Sequence, residues 1–280
     1  MKVACIQLTS TDNVQANIKA AALAIRQAAE QGAQLIATPE NTCLMEHNPQ
    51  ARLKKAFTED AHPGIPVFQQ LSQEFHCWLL IGSLTIKGPD NLCYNRSYLF
   101  GPQGNIVAKY DKIHLFDANL PDGKNFRESQ AFHAGNQPVV TPTDWGGLGL
   151  SICYDLRFPY LYRYLSQHGA QIIAVPSAFI KITGEAHWHV LLRARAIETG
   201  CFMIAPGQTG FHSGGRQTYG HSLIIDPWGR ILAEAGDQPD IIYANIDLKQ
   251  VIQVHQQIPA WQFNRSDVFS LLPKNGTAAV

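Results

Sequence analysis

The sequence lacks the motifs that define several common classes of protein. Its six cysteines include no C-x-x-C pair, which argues against a metal finger or a thiol redox site. No apolar run reaches the roughly 18 residues that span a bilayer, and the strand-like start at residues 3–8 leaves no room for a signal peptide. A chain of this length rarely depends on a disulfide framework. We therefore expect a cytoplasmic protein with reduced cysteines.

An excess of charge of either sign is also missing. The 280 residues carry 22 basic and 22 acidic side chains, so we expect no nucleic-acid partner and no membrane partner. An apolar fraction of 45% against 16% charged residues excludes a disordered resting state. A net charge near zero favours self-association. We expect a homodimer or a higher homo-oligomer.

Short apolar runs alternate with helical patterns along the chain, without a repeat or a linker. The nearly continuous apolar runs are typical of strands covered on both faces. Amphipathic spacing predicts a first helix with Asp12 as its N-cap and Gly32 at its end, and another helix over residues 184–199. This alternation predicts one layered α/β domain over residues 1–272, followed by a flexible tail at 273–280.

A further helix is predicted from Phe158 to about His168. Its tyrosines and leucines point to every side of the helix, so we expect one side in the core and the other in a subunit interface. Two stretches that are rich in turn-forming residues, 121–124 and 208–218, are predicted to be loops.

Reactive side chains follow three of the predicted strands. Cys153 lies between an alternating strand and a helix, where the helix dipole should lower the thiol pKa and free N–H groups can hold an oxyanion. Glu40 follows a buried strand, and partial desolvation there should raise its pKa and suit it to act as a general base. Lys112 ends another strand and can stabilise an oxyanion or a thiolate.

Each of these residues also has an ordinary structural explanation. Most cysteines are small buried hydrophobic residues. Taken alone, Glu40 is better explained as a helix cap or a solvated charge, and Lys112 as a surface lysine. The combination of the three is what indicates catalysis.

Four segments, in this order, resemble the nitrilase, or carbon–nitrogen hydrolase, superfamily. They are PEN at residues 39–41, YDKIHLFD at 110–117, FRES at 126–129 and CYDLRFP at 153–159. The resemblance covers residues 4–269 and implies a triad of base, oxyanion-stabilising lysine and nucleophile at Glu40, Lys112 and Cys153. It implies that Glu128 positions the lysine. It also implies a four-layer αββα sandwich that dimerises through helices, and an amide substrate; we expect no cofactor and no metal.

Within the superfamily, three later segments and CYDLRFP resemble the Nit branch of amidases. The later segments are PSAF at residues 176–179, TGEAHWHVLLRARAIE at 183–198 and YGHSLIIDPWG at 219–229. This resemblance implies hydrolysis of a small linear amide, deaminated glutathione, to 2-oxoglutarate and cysteinylglycine through a cysteine thioester. The alternatives are an ω-amidase acting on α-ketoglutaramate and a catalytically silent scaffold. Tyr160 stands where many relatives have glutamate, which bears on the shape of the pocket floor.

Residues just beyond strand ends are candidate substrate contacts. They are Tyr154, Phe179, Thr183, Glu185 and Gln208. The backbone N–H of Tyr154 should hold the oxyanion together with Lys112. Arg193 and Arg195 can bind a substrate carboxylate, but Arg195 is expected to pair with Glu198 three positions along the helix.

Eleven histidines make a Cys–His dyad the competing mechanism. The candidates are His114 and the pair His187 and His189. Helix positions two apart face different directions, so we expect the pair to be structural and not to supply two ligands to one metal. The lack of a G-x-S-x-G motif argues against an α/β-hydrolase.

Overall fold

The computed structural model describes residues 1–120, 123 and 125–265. The predicted tail at 273–280 and the domain end at residue 272 lie outside the described residues. So do three of the four positions of the loop predicted at 121–124.

Short strands and six helices build the described chain. The strands are β1 (Lys2–Gln7), β2 (Leu35–Ala37), β3 (Trp78–Lys87), β4 (Cys93–Phe100), β5 (Ile106–Asp111), β6 (Asp117–Asn119), β7 (Asn125–Arg127), β8 (Phe132–His133), β9 (Val139–Pro142), β10 (Gly147–Leu150), β11 (Ala170–Ala174), β12 (Phe202–Ala205), β13 (Thr209–Phe211), β14 (Gln217–Tyr219), β15 (Leu223–Ile225), β16 (Ile231–Glu234) and β17 (Asp240–Asn245). The α-helices are α1 (Val14–Glu30), α2 (Pro49–Lys55), α3 (Gly64–Glu74), α4 (Pro159–Gln167), α5 (Lys181–Thr199) and α6 (Lys249–Gln257).

Two sheets form the centre of the molecule. The first has the order β17-β1-β2-β3-β4-β5, with β8 beside β4, and the second has the order β16-β15-β12-β11-β10-β9. In both sheets the middle strands are parallel: β1, β2 and β3 in one, and β10, β11 and β12 in the other. Parallel strands place their carboxyl ends, and the residues that follow them, at the same edge of a sheet.

Side-chain alternation along the strands creates the layers. Along β1, Val3 and Cys5 enter a core shared with the second sheet, whereas Ala4 and Ile6 enter a core shared with α1 and α3. Helices α4 and α5 cover the outer face of the second sheet. The order of layers is therefore helix, sheet, sheet, helix, which confirms the predicted four-layer αββα sandwich.

The predicted helices are present with shifted ends. Asn13, not Asp12, caps α1, because its side chain accepts the N–H of Ala16 at 3.0 Å, whereas Asp12 pairs with Lys55 at 2.6 Å. Helix α5 begins at Lys181, ahead of the predicted residue 184.

Helix α4 buries one side in the core, as predicted. Its buried residues include Leu161, Tyr162 and Leu165, whereas Tyr160 and Tyr164 are exposed. The subunit interface on this exposed side stays a prediction.

The loop predicted over residues 208–218 is instead a short hairpin of β13 and β14. Gly214 and Gly215 form its tip with φ values of 79° and 78°, a region open to glycine at little steric cost. The two strands are too short to show a recognisable period in the sequence.

Among the described helices, none combines the length and apolar character that a membrane crossing needs.

Candidate active site

Glu40 lies just beyond the carboxyl end of β2 and is 2% exposed. One of its oxygens accepts hydrogen bonds from Lys112 Nζ and Asn95 Nδ2, both at 2.9 Å, and the other accepts the backbone N–H of Ala178 at 2.8 Å. The neighbouring strand comes close because position 82 is glycine: a Cβ there would lie 2.1 Å from the carbonyl oxygen of Thr38. The carboxylate is thus fixed by contacts with three separate parts of the chain.

Lys112 follows β5 and is equally buried. Its Nζ donates to Glu40 Oε1 at 2.9 Å and to the two oxygens of Glu128 at 3.1 and 2.9 Å. Glu128 is itself held by the backbone N–H of Phe116 at 2.6 Å. A buried ammonium is stable only when paired in this way, and two carboxylates pair it here.

Cys153 comes shortly after β10, at the carboxyl end of the second sheet's parallel strands. Its backbone N–H donates to the carbonyl of Pro176 at 3.0 Å, and its φ of 50° lies in the left-handed region. Non-glycine residues adopt this conformation at a cost, commonly at functional sites. The Cys153 thiol lines the same cavity as Glu40, Lys112 and Glu128. The structure therefore brings Glu40, Lys112, Glu128 and Cys153 together around one point.

The pKa values of two of these groups shift against the sequence-based expectation. Burial raises the pKa of the Cys153 thiol, and the Glu40 carboxylate raises it further, so the expected lowering by a helix dipole is wrong. The cysteine is the first residue of a short 3-10 helix (Cys153–Arg157), and α4 starts only at Pro159.

Burial is the largest single influence on the pKa of Glu40 and raises it. The charge and hydrogen bond of Lys112, together with the charge of Arg216 and the nearby Cys153, lower it more, so the net pKa lies below its ordinary value. The expected raised pKa of Glu40 is therefore wrong. Burial lowers the pKa of Lys112, and the charges of Glu128 and Glu40 outweigh this and raise it. At neutral pH the group consists of a carboxylate, an ammonium and a neutral thiol.

The three candidate histidines bind other partners instead of the cysteine. His114 Nδ1 lies 2.6 Å from Asp155 Oδ1, and its ring stacks on Phe158 at a centroid distance of 3.7 Å. His187 contacts the guanidinium of Arg157 at 3.3 Å, and His189 lies 2.9 Å from Glu234. The last two do point in different directions, as predicted, and the geometry favours the glutamate over a histidine as the base.

Asp155 is a supporting residue to which the sequence analysis assigned no role, although it lies inside the CYDLRFP segment. It is fully buried, and its oxygens accept Tyr110 Oη at 2.7 Å, Ile152 N at 2.8 Å and His114 N at 3.0 Å. Along the chain, Tyr110 and His114 lie two residues before and after Lys112, and Ile152 directly precedes Cys153. Asp155 therefore connects the two chain segments that carry the proposed nucleophile and the lysine.

Replacing Asp155 with asparagine should destabilise the fold by about 2–3 kcal/mol, because an amide N–H₂ would then face N–H donors in a buried site. Urea unfolding measures this loss, with Asp237→Asn as the exposed control. An Asp155→Asn chain as stable as the control would show that the network does not hold the two segments together.

A cavity of about 290 Å³ opens over these residues. Its wall includes four arginines that the sequence analysis did not single out: Arg52, Arg127, Arg157 and Arg216. Arg157 lies inside the CYDLRFP segment, which could have drawn attention to it, whereas Arg216 lies in the stretch predicted to be a loop. With Lys112, these arginines outnumber the three glutamates of the wall, Glu40, Glu46 and Glu128, so the wall is cationic on balance.

The predicted substrate contacts divide into two groups. Tyr154, Phe179 and Thr183 line the cavity. Glu185 is an exposed residue of α5 that lies 3.9 Å from Lys181. Gln208 is buried behind the cavity wall, where its amide donates to the Glu40 carbonyl at 3.0 Å and supports that backbone.

The predicted helix arginines also lie elsewhere. Arg193 donates to the carbonyl of Gly229 at 2.8 Å. Arg195 pairs with Glu198 at 3.1 Å, as expected, and binds the carbonyl of Leu156.

A carboxylate, an ammonium and a thiol that are buried together between two sheets, here Glu40, Lys112 and Cys153, form the arrangement of a hydrolase. Residues 2–256 match the pattern of the Carbon-nitrogen hydrolase family. The chain belongs to this family, which confirms the predicted resemblance.

Individual proteins similar to this chain narrow the assignment within the family to the Nit branch. Deaminated glutathione amidase from Synechocystis sp. strain PCC 6803 is 44% identical over 263 residues, which cover 92% of this chain and 96% of that protein. The crystal structure of the C. elegans NitFhit protein superposes with a TM-score of 0.89 and 36% identity, over 95% of this chain and 65% of that one.

A solved amidase from Nesterenkonia sp. AN1 has the same fold, with a TM-score of 0.81 and 26% identity over 96% of this chain and 98% of that one. In that mutant amidase, acrylamide has added to the active-site cysteine.

Proposed function

We propose that this chain is an amidase that hydrolyses deaminated glutathione to 2-oxoglutarate and cysteinylglycine, with Cys153 as the nucleophile. One observation carries the proposal: Cys153, Lys112, Glu40 and the partly buried Glu128 lie together on a single cavity. The activity named for the Synechocystis relative supports the choice of substrate.

The first half-reaction forms a thioester. The Cys153 sulfur attacks the amide carbonyl carbon while its proton passes to Glu40. The carbonyl oxygen becomes an oxyanion, which Lys112 and the backbone N–H of Tyr154 stabilise. Glu40 then gives the proton to the amide nitrogen, the C–N bond breaks, and cysteinylglycine leaves as a neutral amine.

The second half-reaction releases the acid. Glu40 takes a proton from a water molecule, whose oxygen attacks the thioester carbon. The C–S bond breaks, and the proton held by Glu40 returns to the sulfur. The products are 2-oxoglutarate and the free thiol, so one water is consumed and the enzyme is regenerated.

The pKa shifts make the resting site unreactive by itself. Transfer of a proton from the thiol, whose pKa is raised, to Glu40, whose pKa is lowered, is unfavourable before substrate binds. The new negative charge on the substrate oxygen attracts the Lys112 ammonium. The ammonium then stabilises the Glu40 carboxylate less, so the Glu40 pKa rises and proton transfer from the thiol becomes more favourable. The geometry thus couples activation of the thiol to the presence of an amide carbonyl.

The cationic wall supports a substrate with two carboxylates. Deaminated glutathione has one on its 2-oxo acid end and one on its glycine end, and guanidinium groups bind carboxylates in bidentate fashion. Arg157 and Arg216 line the cavity beside Phe179 and Ala178. The ω-amidase substrate α-ketoglutaramate carries a single carboxylate and would use fewer of these cations.

Comparing kcat/KM for deaminated glutathione, α-ketoglutaramate and a simple nitrile tests the proposal. We expect deaminated glutathione to exceed α-ketoglutaramate by about tenfold or more, since one extra charged hydrogen bond contributes about 1.5–3 kcal/mol. The nitrile should not be turned over. A preference for α-ketoglutaramate would identify the protein as an ω-amidase. No turnover of either amide would favour the alternative that the chain is a catalytically silent scaffold.

We also propose that the chain forms a homodimer and that residues 1–272 form one domain. We propose further that the protein acts in the cytoplasm, without nucleic-acid or membrane partners. An apolar surface on the α4 and α5 side supports the dimer. Its exposed residues are Tyr160, Tyr164, Val190, Ile197 and Trp228. The neutral charge balance supports the absence of polyanionic partners.

A further inference from the structure

Three side chains that can bind a metal meet outside the cavity, next to the second sheet. His189 Nε2 lies 2.9 Å from Glu234 Oε1, and His221 Nδ1 lies 3.1 Å from the same oxygen. One ligand atom from each residue lies within 4.8 Å of the other two. Two imidazoles and one carboxylate form a donor set that binds zinc and related divalent transition metals.

Two of the three distances between the donor atoms are close to those in a metal site. Zinc–ligand bonds of about 2.0–2.1 Å in a tetrahedral site place neighbouring ligand atoms about 3.3 Å apart. The two distances to the Glu234 oxygen are slightly shorter than this, and the two imidazole nitrogens lie within 4.8 Å of each other. Small rotations of all three side chains would therefore be needed to surround the ion.

Separate and well-fixed elements present the three ligands. His189 lies within α5, Glu234 is the last residue of β16, and His221 lies between β14 and β15. The backbone of His221 is held by Trp188 Nε1, which donates to its carbonyl at 2.7 Å, and by its own N–H, which donates to Gly236 at 3.1 Å. Its ring stacks on Tyr219 at a centroid distance of 4.2 Å. Such preorganisation reduces the entropy lost on binding a metal.

The cluster is open to solvent on one side. The side chains of His189, His221 and Glu234 are 28%, 26% and 37% exposed, so an ion can reach them and keep a water molecule in the fourth position. The sequence-based expectation was that this protein binds no metal, with His187 and His189 considered as possible ligands. His187 contacts Arg157 instead, and a metal site here departs from that expectation.

We propose that His189, His221 and Glu234 bind one divalent transition metal ion, with zinc as the best fit. Bound there, the ion joins α5 to β16 and stabilises the fold through linkage between binding and folding. The site takes no part in the proposed amide hydrolysis.

Calorimetric titration of Zn²⁺ into the untagged full-length chain tests this site. The Cys153→Ala background keeps the cavity thiol from binding the probe, and the other five cysteines are buried. The informative variant is His189→Gln, which lies on a helix and should fold. His187→Gln, two residues away, is the matched control, and Co²⁺ absorption in the visible range reports coordination geometry independently.

We expect one Zn²⁺ per chain, a Co²⁺ spectrum typical of tetrahedral coordination, and an increase in Tm with added Zn²⁺. His189→Gln should weaken binding by more than about 100-fold, since even changes outside the ligand shell cost about 10- to 100-fold. His187→Gln should leave binding unchanged. A wild-type chain that binds no Zn²⁺, or equal affinity in His189→Gln, would overturn the proposal whatever the amidase assays show.

Discussion

Replacing Cys153 with alanine should lower amide hydrolysis by about 10⁴-fold or more while the chain still folds, because removal of a nucleophile also removes the covalent route. The side chain is small and sits at one edge of the core, so we expect the free energy of unfolding to change by less than about 1.5 kcal/mol. The measurements are kcat with deaminated glutathione and urea unfolding of the same preparation.

Cys201→Ala is the matched control for this variant. Cys201 is also a buried thiol, and burial raises its pKa to about 11. Unlike Cys153, it hydrogen-bonds the carbonyl of Ala170 at 3.1 Å and does not line the cavity. The control should keep wild-type kcat. Hydrolysis by Cys153→Ala at a rate near that of the control would mean that another group attacks the substrate.

Replacing Glu128 with glutamine should lower kcat by about 10²- to 10³-fold, the usual effect of losing one oxyanion-stabilising contact. Lys112 would then have Glu40 as its single carboxylate partner. Lys112 would pair more strongly with Glu40, the proposed base, and would lie farther from the position of the oxyanion. Both effects act on the transition state, so kcat should fall more than KM rises. Steady-state kinetics across pH, with unfolding as the check on stability, measures this.

Two further variants make the Glu128 result specific. Glu128→Asp keeps the charge and should restore part of the lost kcat, whereas a purely structural role would give no such rescue. Glu185→Gln, at an exposed position on α5, should behave like the wild type. If Glu128→Gln were as active as Glu185→Gln, the positioning role would be wrong.

The parts of the site that the sequence predicts are those tied to strand ends. Glu40 and Lys112 follow strands of the first sheet, whose parallel strands end at the same edge. Cys153 follows β10 of the second sheet, so its place beside them also depends on how the two sheets pack. The shared position of reactive residues after strands, read together with the family resemblance, therefore predicts which residues meet. The layers follow in the same way, because alternation along β1 assigns its side chains to two different cores.

The electrostatics could not be predicted from the sequence because they depend on distances between segments far apart in the chain. Glu40 and Lys112 are 72 residues apart, yet their 2.9 Å contact is the main influence that lowers the Glu40 pKa against the effect of burial. Neighbouring sequence indicates burial only, and burial alone would raise that pKa. The same reason hides the contact between His189 and Glu234, which are 45 residues apart.

Local details were missed where two residues compete for one role. Asp12 and Asn13 are both good N-caps, and the choice between them depends on Lys55, which pairs with Asp12. Arg216 was missed because it lies beside a hairpin too short to be recognised in sequence. Only the folded hairpin brings its guanidinium to the carbonyl of Ala178, on the cavity wall.

Labelling with iodoacetamide tests the central claim most directly, which is that one cysteine of six does the chemistry in the shared cavity. We predict one label per chain, located at Cys153 by peptide mass spectrometry, because iodoacetamide itself carries the amide carbonyl that activates the thiol. Activity should be lost in proportion to labelling, and deaminated glutathione should protect the cysteine. A chain fully labelled at Cys153 that still hydrolyses its substrate would contradict the account.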